Sequence, residues 1–182
     1  MGTDDFELIR NSEVVVITVN KGKIITTRTD LLQTNVPLAR EIAQKIRKIL
    51  VPIDGSKNSF RGLDYAIHLA RQCGSTVTGL NVIPFYPKSL LLTPISYEKE
   101  LIKKAKDFMA KAKARCAQNG VVFSEKITDG HEVDEIIGFA TEKNFDLIVV
   151  GARGLGSVKE VFLGSVSNGV LHKYKIPVLI VK

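Results

Sequence analysis

The sequence predicts an α/β protein, an open parallel sheet with helices on both faces. Three observations carry this reading. From residue 47 onward, strand-like runs alternate with stretches of helical periodicity. Two of those runs, LIVV (147–150) and VLIV (178–181), are apolar throughout, as strands covered on both sides must be. A glycine-rich loop, GARGLGSVKEVFLGS (151–165), joins one of these strands to a helix.

The elements follow in order. RKILVPID (47–54) is a short apolar strand ending in a carboxylate. Phe60, Leu63, Ile67 and Ala70 then repeat at helical spacing, with Ser56 placed to cap that helix. TVTGLNVI (76–83) is the second strand, and the proline-punctuated PFYPKSLLLTP (84–94) is a connection. Leu101, Ala105, Phe108 and Ala112 mark a long helix that stops near Gly120. VVFSEKI (121–127) is a weaker third strand. Val133, Ile136, Ile137 and Ala140 form the stripe of a third helix. LIVV is the fourth strand, the glycine loop leads into a fourth helix, and PVLIV (177–181) is the fifth strand. Right-handed crossovers fix the hand of each unit, but not the strand order.

Residues 1–46 read differently. EVVVITV (13–19) and KIITTRT (23–29) are strand-like runs around an Asn/Gly-containing turn, which predicts a hairpin. After Pro37, residues Leu38, Ile42, Ile46 and Ile49 keep helical spacing, the last overlapping the first core strand. The segment is expected to be an accessory hairpin and helix packed on the domain.

Composition sets the limits. A chain of 182 residues, 45% hydrophobic and 25% charged, can bury a real core and fits one domain with an appendage. The net charge of +7 permits attraction to anions and selects none. The basic stretch from Lys99 to Arg115 has no interleaved aromatic platform, so it reads as a solvated face rather than a nucleic-acid footprint. Cys73 and Cys116 lack metal or redox spacing and read as structural thiols of a reducing compartment. MGTDDFELIR has no apolar signal region, Phe6 excludes a myristoylation motif, and no run has the length of a membrane span. A soluble, cytoplasmic protein is expected, without membrane association. His68, His131 and His172 are scattered and join no nucleophile motif.

The glycine loop carries the chemistry. Glycines accept positive φ and let a backbone approach a ligand closely. N–H groups at a helix start are unpaired and partly positive, so strand, loop and helix together form an anion site. Gly151, Gly154 and Gly156 are expected to supply the close approach, and Ser165 a hydroxyl for a phosphate oxygen. The loop is not a Walker A sequence, because Ser157 follows Gly156 where lysine is required. Glycine content alone fits tight turns equally well.

Spacing decides more. Gly151-x2-Gly154-x9-Gly164-Ser165, together with KILVPIDGS, GLNVIP, DLIVVGARG and PVLIVK, resembles the ATP-binding subgroup of the universal stress protein family. The resemblance covers residues 47–182 and leaves 1–46 as an extension. It implies a Rossmann-like sheet of five parallel strands in the order 3-2-1-4-5. It also implies an adenine-nucleotide site at the point where that order reverses. Pro52, Ile53 and Asp54 would line the adenine and ribose side, and Val82 would offer backbone hydrogen bonds to adenine. Gly151, Arg153, Gly154, Gly164, Ser165 and Val166 would surround the ribose and phosphates, with Ser167 nearby. Asp54 also fits a helix cap, and Arg153 a solvated loop charge.

The implied ligand is ATP, with AMP, ADP or a cyclic nucleotide as alternatives, and Mg²⁺ held through the phosphates rather than by protein ligands. No residue is assigned a catalytic role. Without the Walker lysine or a residue to orient water, slow or no hydrolysis is expected, a weak Mg-dependent ATPase being the alternative. The function implied is a regulatory switch in the stress response. The last strand, apolar and at the sheet edge in the family order, is expected to form a homodimer, with the hairpin extending or covering that interface. No downstream protein partner is legible.

Overall fold

Strands β6 (Leu147–Gly151) and β7 (Val178–Val181) are buried at every residue, which is what their unbroken apolar sequences require. They lie inside a single sheet in a computed structural model of the chain. The structure describes residues 14–20, 23–28, 46–84, 95–156, 163–173 and 177–182.

Along that chain run β1 (Val14–Asn20), β2 (Lys23–Arg28), β3 (Lys48–Pro52), α1 (Lys57–Cys73), β4 (Thr76–Pro84), α2 (Ile95–Gln118), β5 (Phe123–Gly130) and α3 (Glu132–Glu142). Then come β6, α4 (Ser165–Lys173) and β7. The sheet order is β2-β1-β7-β6-β3-β4-β5. Strands β5, β4, β3, β6 and β7 are mutually parallel and have the expected 3-2-1-4-5 order. The predicted hairpin is present as β1 and β2, with Val15 opposite Arg28 and Asn20 opposite Lys23. The helix expected after Pro37 and the connection after Pro84 fall largely outside the described residues. Of that helix stripe, Ile49 lies in β3 instead.

The edge expectation is corrected. β1 pairs antiparallel along all of β7, so PVLIV lies inside a seven-stranded sheet and not at its margin. The hairpin covers the strand, and a homodimer through β7 has no open edge to use. Sequence pattern could not place the hairpin, because its register joins Val14 to Val181 across nearly the whole chain.

Alternation along the strands divides the core into two layers. Ile49 and Val51 of β3, Leu147 and Val149 of β6, and Leu179 and Val181 of β7 pack with Leu63, Ala66, Met109 and Ala112 of α1 and α2. Leu50, Ile148, Val150, Val178 and Ile180 face the other way, onto Ile136, Ala140, Val170 and Leu171 of α3 and α4. Among the described residues, no buried side-chain polar atom lacks a partner. None of their helices is long and apolar enough to cross a membrane.

Cys116 belongs to the first layer and is fully buried. Burial, with the Asp64 carboxylate adding to it, pushes its thiol from 9.0 up to about 11. Between those values an unfolded chain has released the proton while the folded chain keeps it. Stability therefore falls as pH rises from about 9 to about 11, by at most about 1.4 kcal/mol per pH unit for this one group. Denaturant midpoints at pH 8, 9, 10 and 11 should fall less steeply for Cys116→Ala than for the parent. Equal slopes would show that this thiol does not titrate differently on unfolding.

Candidate functional site

The chain leaves β3 for β4 on one side of the sheet and enters β6 on the other. Between β3 and β6 the carboxyl ends of the strands open into a crevice, the place where open α/β sheets hold ligands. A cavity of about 710 Å³ occupies it. Pro52, Ile53 and Asp54 line it from the end of β3, and Val82 from β4. Gly151, Arg153 and Gly154 line it from the glycine loop, and Gly164, Ser165, Val166 and Ser167 from the start of α4. Four separated segments thus meet around one space.

The stem of the loop is held by backbone bonds. Ala152 N–H donates to Val181 O at 2.6 Å and Gly164 N–H donates to Ala152 O at 2.8 Å, so the loop leaves and returns at one point. The Ser167 hydroxyl is buried and points to two carbonyls, Ala152 O at 2.8 Å and Gly164 O at 3.0 Å. Its proton is thus committed to clasping the stem. Ser165 is exposed at the first position of α4. The first intrahelical bond runs from Asn168 N–H to Gly164 O at 3.0 Å, so the N–H groups just before Asn168 have no i−4 partner within the helix.

Asp54 ties the two sides of the crevice together. Its Oδ1 accepts from Ser56 N–H at 2.9 Å and its Oδ2 accepts from Leu155 N–H at 3.0 Å. It is not the cap of α1. That role belongs to Ser56, whose Oγ accepts from Ser59 N–H at 3.1 Å, as the sequence predicted.

The glycines serve a different purpose from the expected one. Among the described glycines positive φ occurs at Gly55, Gly74, Gly120 and Gly130, and not at Gly151, Gly154, Gly156 or Gly164. At Gly151 the missing side chain makes room for α1: a Cβ would stand 2.7 Å from Asn58 C and 2.9 Å from Ser59 N. At Gly154 a Cβ would meet Asp54 Oδ2 at 2.6 Å. At Gly156 a Cβ would meet nothing within 4 Å among the described residues. Close approach is real at the first two, but it is approach to the protein's own chain.

Lysine and arginine come near each other at the base of the loop. Burial, and then the nearby Arg153 guanidinium, lower the pKa of Lys182 at the end of β7.

A family model described as the universal stress protein family matches residues 45–182. The chain belongs to the universal stress protein family. It is 35% identical over 148 residues to the universal stress protein YxiE of Bacillus subtilis, covering 74% of this chain and 98% of that one. The solved structure of MJ0577, a universal stress protein of Methanocaldococcus jannaschii, superposes with a TM-score of 0.67 at 30% identity, over 75% of this chain and 95% of that one. A universal stress protein solved in complex with cAMP superposes with a TM-score of 0.60 at 27% identity, over 75% of this chain and 97% of that one.

Sequence reasoning about this universal stress protein missed one wall of the cavity. Leu101, Lys104, Ala105 and Phe108 of α2 line it, as do Asn81 and Glu132. Leu101, Ala105 and Phe108 belong to the predicted helix stripe, and periodicity does not distinguish a core face from a cavity wall. Gly55 seats this wall: its φ is +87°, and a Cβ there would fall 2.4 Å from the Phe108 ring. Asn81 is buried, and its Nδ2 donates to Ile53 O at 2.6 Å. A polar residue inside the apolar run GLNVI was the available signal.

Proposed function

We propose that this universal stress protein binds an adenine nucleotide, foremost ATP, in the crevice between β3 and β6 and acts as a regulatory switch with slow or no hydrolysis. The observation that carries the reading is the convergence of the β3 end, the β4 end, the glycine loop and the α4 start on one cavity of about 710 Å³. Ile53, Leu80, Val82, Ile136 and Phe108 give that cavity apolar surface suited to a base. The α4 start and the loop, with Arg153 beside them, provide for phosphates. In this reading Pro52, Ile53, Asp54 and Val82 hold the adenosine half, and Gly151, Arg153, Gly154, Gly164, Ser165 and Val166 surround the ribose and phosphates, with Ser167 nearby. Mg²⁺ enters only on the phosphates and water, since among the described residues no group of three or more His, Cys, Asp or Glu could hold a metal ion.

Slow turnover follows from the residues present. Both Asp54 oxygens accept backbone N–H groups, so the carboxylate is engaged in holding the turn and the loop. Ser157 stands where a Walker loop has lysine. An AMP or cyclic-nucleotide sensor is the second reading, favoured by the relative solved with cAMP. The reading places the protein in a reducing compartment, the cytoplasm, because Cys73 and Cys116 are both free thiols. It keeps residues 1–46 as an extension to a nucleotide-binding core over 47–182, and assigns no nucleic-acid partner. The homodimer expected through β7 is left out of it, because β1 holds that edge.

The test is to denature purified protein and identify the released nucleotide by mass spectrometry, then to measure turnover with Mg²⁺. Released ATP and negligible turnover are expected. Hydrolysis at ordinary enzyme rates, lost in Ser165→Ala, would contradict the switch reading and favour an ATPase.

A further inference from the structure

α3 opens with three carboxylates, Glu132, Asp134 and Glu135. Two of them are engaged. Asp134 pairs with Lys173 of α4 at 3.2 Å, and Glu135 Oε2 accepts from Thr128 Oγ1 at 3.4 Å. Glu132 differs. It is half-buried and lines the cavity, and among the described residues no hydrogen bond or ion pair engages its carboxylate. An ionised carboxylate only accepts hydrogen bonds, so this part of the cavity wall calls for a donor. A helix start favours acidic residues, which accounts for a carboxylate in this turn but not for its place in the cavity wall.

Strand register places Glu132 at the base end of the cavity. Val82 pairs with Thr128 and Pro84 with Gly130, so the chain turns into α3 directly beside the end of β4. Ile136 is one turn beyond Glu132 on the same face of α3, and Leu80 and Val82 share one face of β4. All four line the cavity, and the three apolar ones belong to the surface suited to a base. The glycine loop leaves β6, three strands away in the order β5-β4-β3-β6. Three strand spacings amount to roughly 14 Å. A carboxylate on the β5 side opposes phosphates there and leaves the loop side to them.

We propose that Glu132 accepts a hydrogen bond from the exocyclic amino group of the base and so sets a preference for 6-aminopurine nucleotides. The inference rests on the nucleotide reading of the cavity and adds the residue that tells adenine from purines without that group. The amino group has two hydrogens, so Glu132 can share it with a backbone carbonyl of β4. A base without it leaves the half-buried carboxylate unpaired, and that loss is the source of the discrimination.

The test is a titration of the full chain with ATP and with purine riboside triphosphate, which lacks only the 6-amino group. The parent should bind ATP at least about tenfold more tightly, the low end for a hydrogen bond to a charged group, because Glu132 is only half-buried. Glu132→Ala should bring the two ligands within about threefold of each other, mainly by weakening ATP. Glu132→Gln should fall between, since its amide oxygen still accepts. Asp134→Asn, which removes a charge from the same turn, should match the parent. Equal affinities in the parent would overturn the inference. So would a ratio that keeps the parent's value in Glu132→Ala, which would put the carboxylate on the ribose or leave it to the helix alone. Tighter binding of GTP than of ATP would also overturn it, because a carboxylate accepts from guanine N1–H and N2–H as well. Binding of neither triphosphate by the parent would remove the nucleotide reading itself, and this inference with it. Should Glu132→Ala not fold, the parent ratio and Glu132→Gln still decide.

Discussion

Replacing Gly151 with alanine is expected to destabilise the protein by about 3 kcal/mol, the upper part of the range for an overpacked site. It should lower Tm by roughly 6–12 °C. The new Cβ would stand 2.7 Å from Asn58 C, 2.8 Å from Asn58 O and 2.9 Å from Ser59 N. These are backbone atoms at the start of α1, so no side chain can swing aside. Gly62, one turn further along α1, sits at the same contact, where its own missing Cβ would lie 3.5 Å from Gly151 N. Either α1 must lift from the sheet or the end of β6 must shift. The second movement carries the root of the loop with it, through Ala152 and its bond to Val181 O. ATP affinity should therefore fall at least about tenfold, equivalent to 1.4 kcal/mol. Gly156→Ala is the matched control. Its Cβ would meet nothing among the described residues within 4 Å, so stability should change by no more than about 0.5 kcal/mol. Thermal melts of the two variants check this. Equal melting temperatures would show that α1 does not rest on Gly151.

Asp54→Ala is expected to cost about 2–3 kcal/mol and to weaken ATP binding by roughly 10- to 100-fold. It removes the acceptor for Ser56 N–H at 2.9 Å and for Leu155 N–H at 3.0 Å. The first bond shapes the turn before α1. The second tethers the glycine loop to the end of β3 across the crevice. The estimate stays below the sum of two charge-assisted bonds because the Leu155 bond is exposed to solvent. Asp54→Asn separates the two roles. Its amide oxygen can still accept from Ser56 N–H, while its NH₂ cannot accept from Leu155 N–H. It should keep about half of the stability and lose most of the affinity. Denaturant unfolding and nucleotide titration of both variants provide the measurement. Unchanged affinity in Asp54→Ala would show that the tether does not shape the site.

These two residues also show what the sequence made legible. Asp54 and Gly151 stand at the ends of apolar strands, and strand alternation with helical stripes located both. The parallel order followed from the family resemblance, since alternation gives units without their arrangement. Ser56 was legible as a cap because capping is local chemistry. The reason for Gly151 was not, because the atoms that forbid a side chain belong to Asn58 and Ser59, far away in sequence. The third strand begins at Phe123 and runs on to Gly130, beyond the apolar run that predicted it. Its pairing with β4 continues through Asp129 and Gly130, and backbone register does not need apolar side chains. The α2 wall and the docking of the hairpin are long-range facts of the same kind. Leu101 and Phe108 show helical spacing in either surrounding, and β1 would look the same on any edge.

The most direct test of the nucleotide site is a calorimetric titration of the full chain with ATP, ADP, AMP and cAMP, alongside Gly151→Ala. Saturable binding of ATP at one site per chain, at least about tenfold weaker in the variant, is predicted. No saturable binding of any of the four nucleotides would contradict the account.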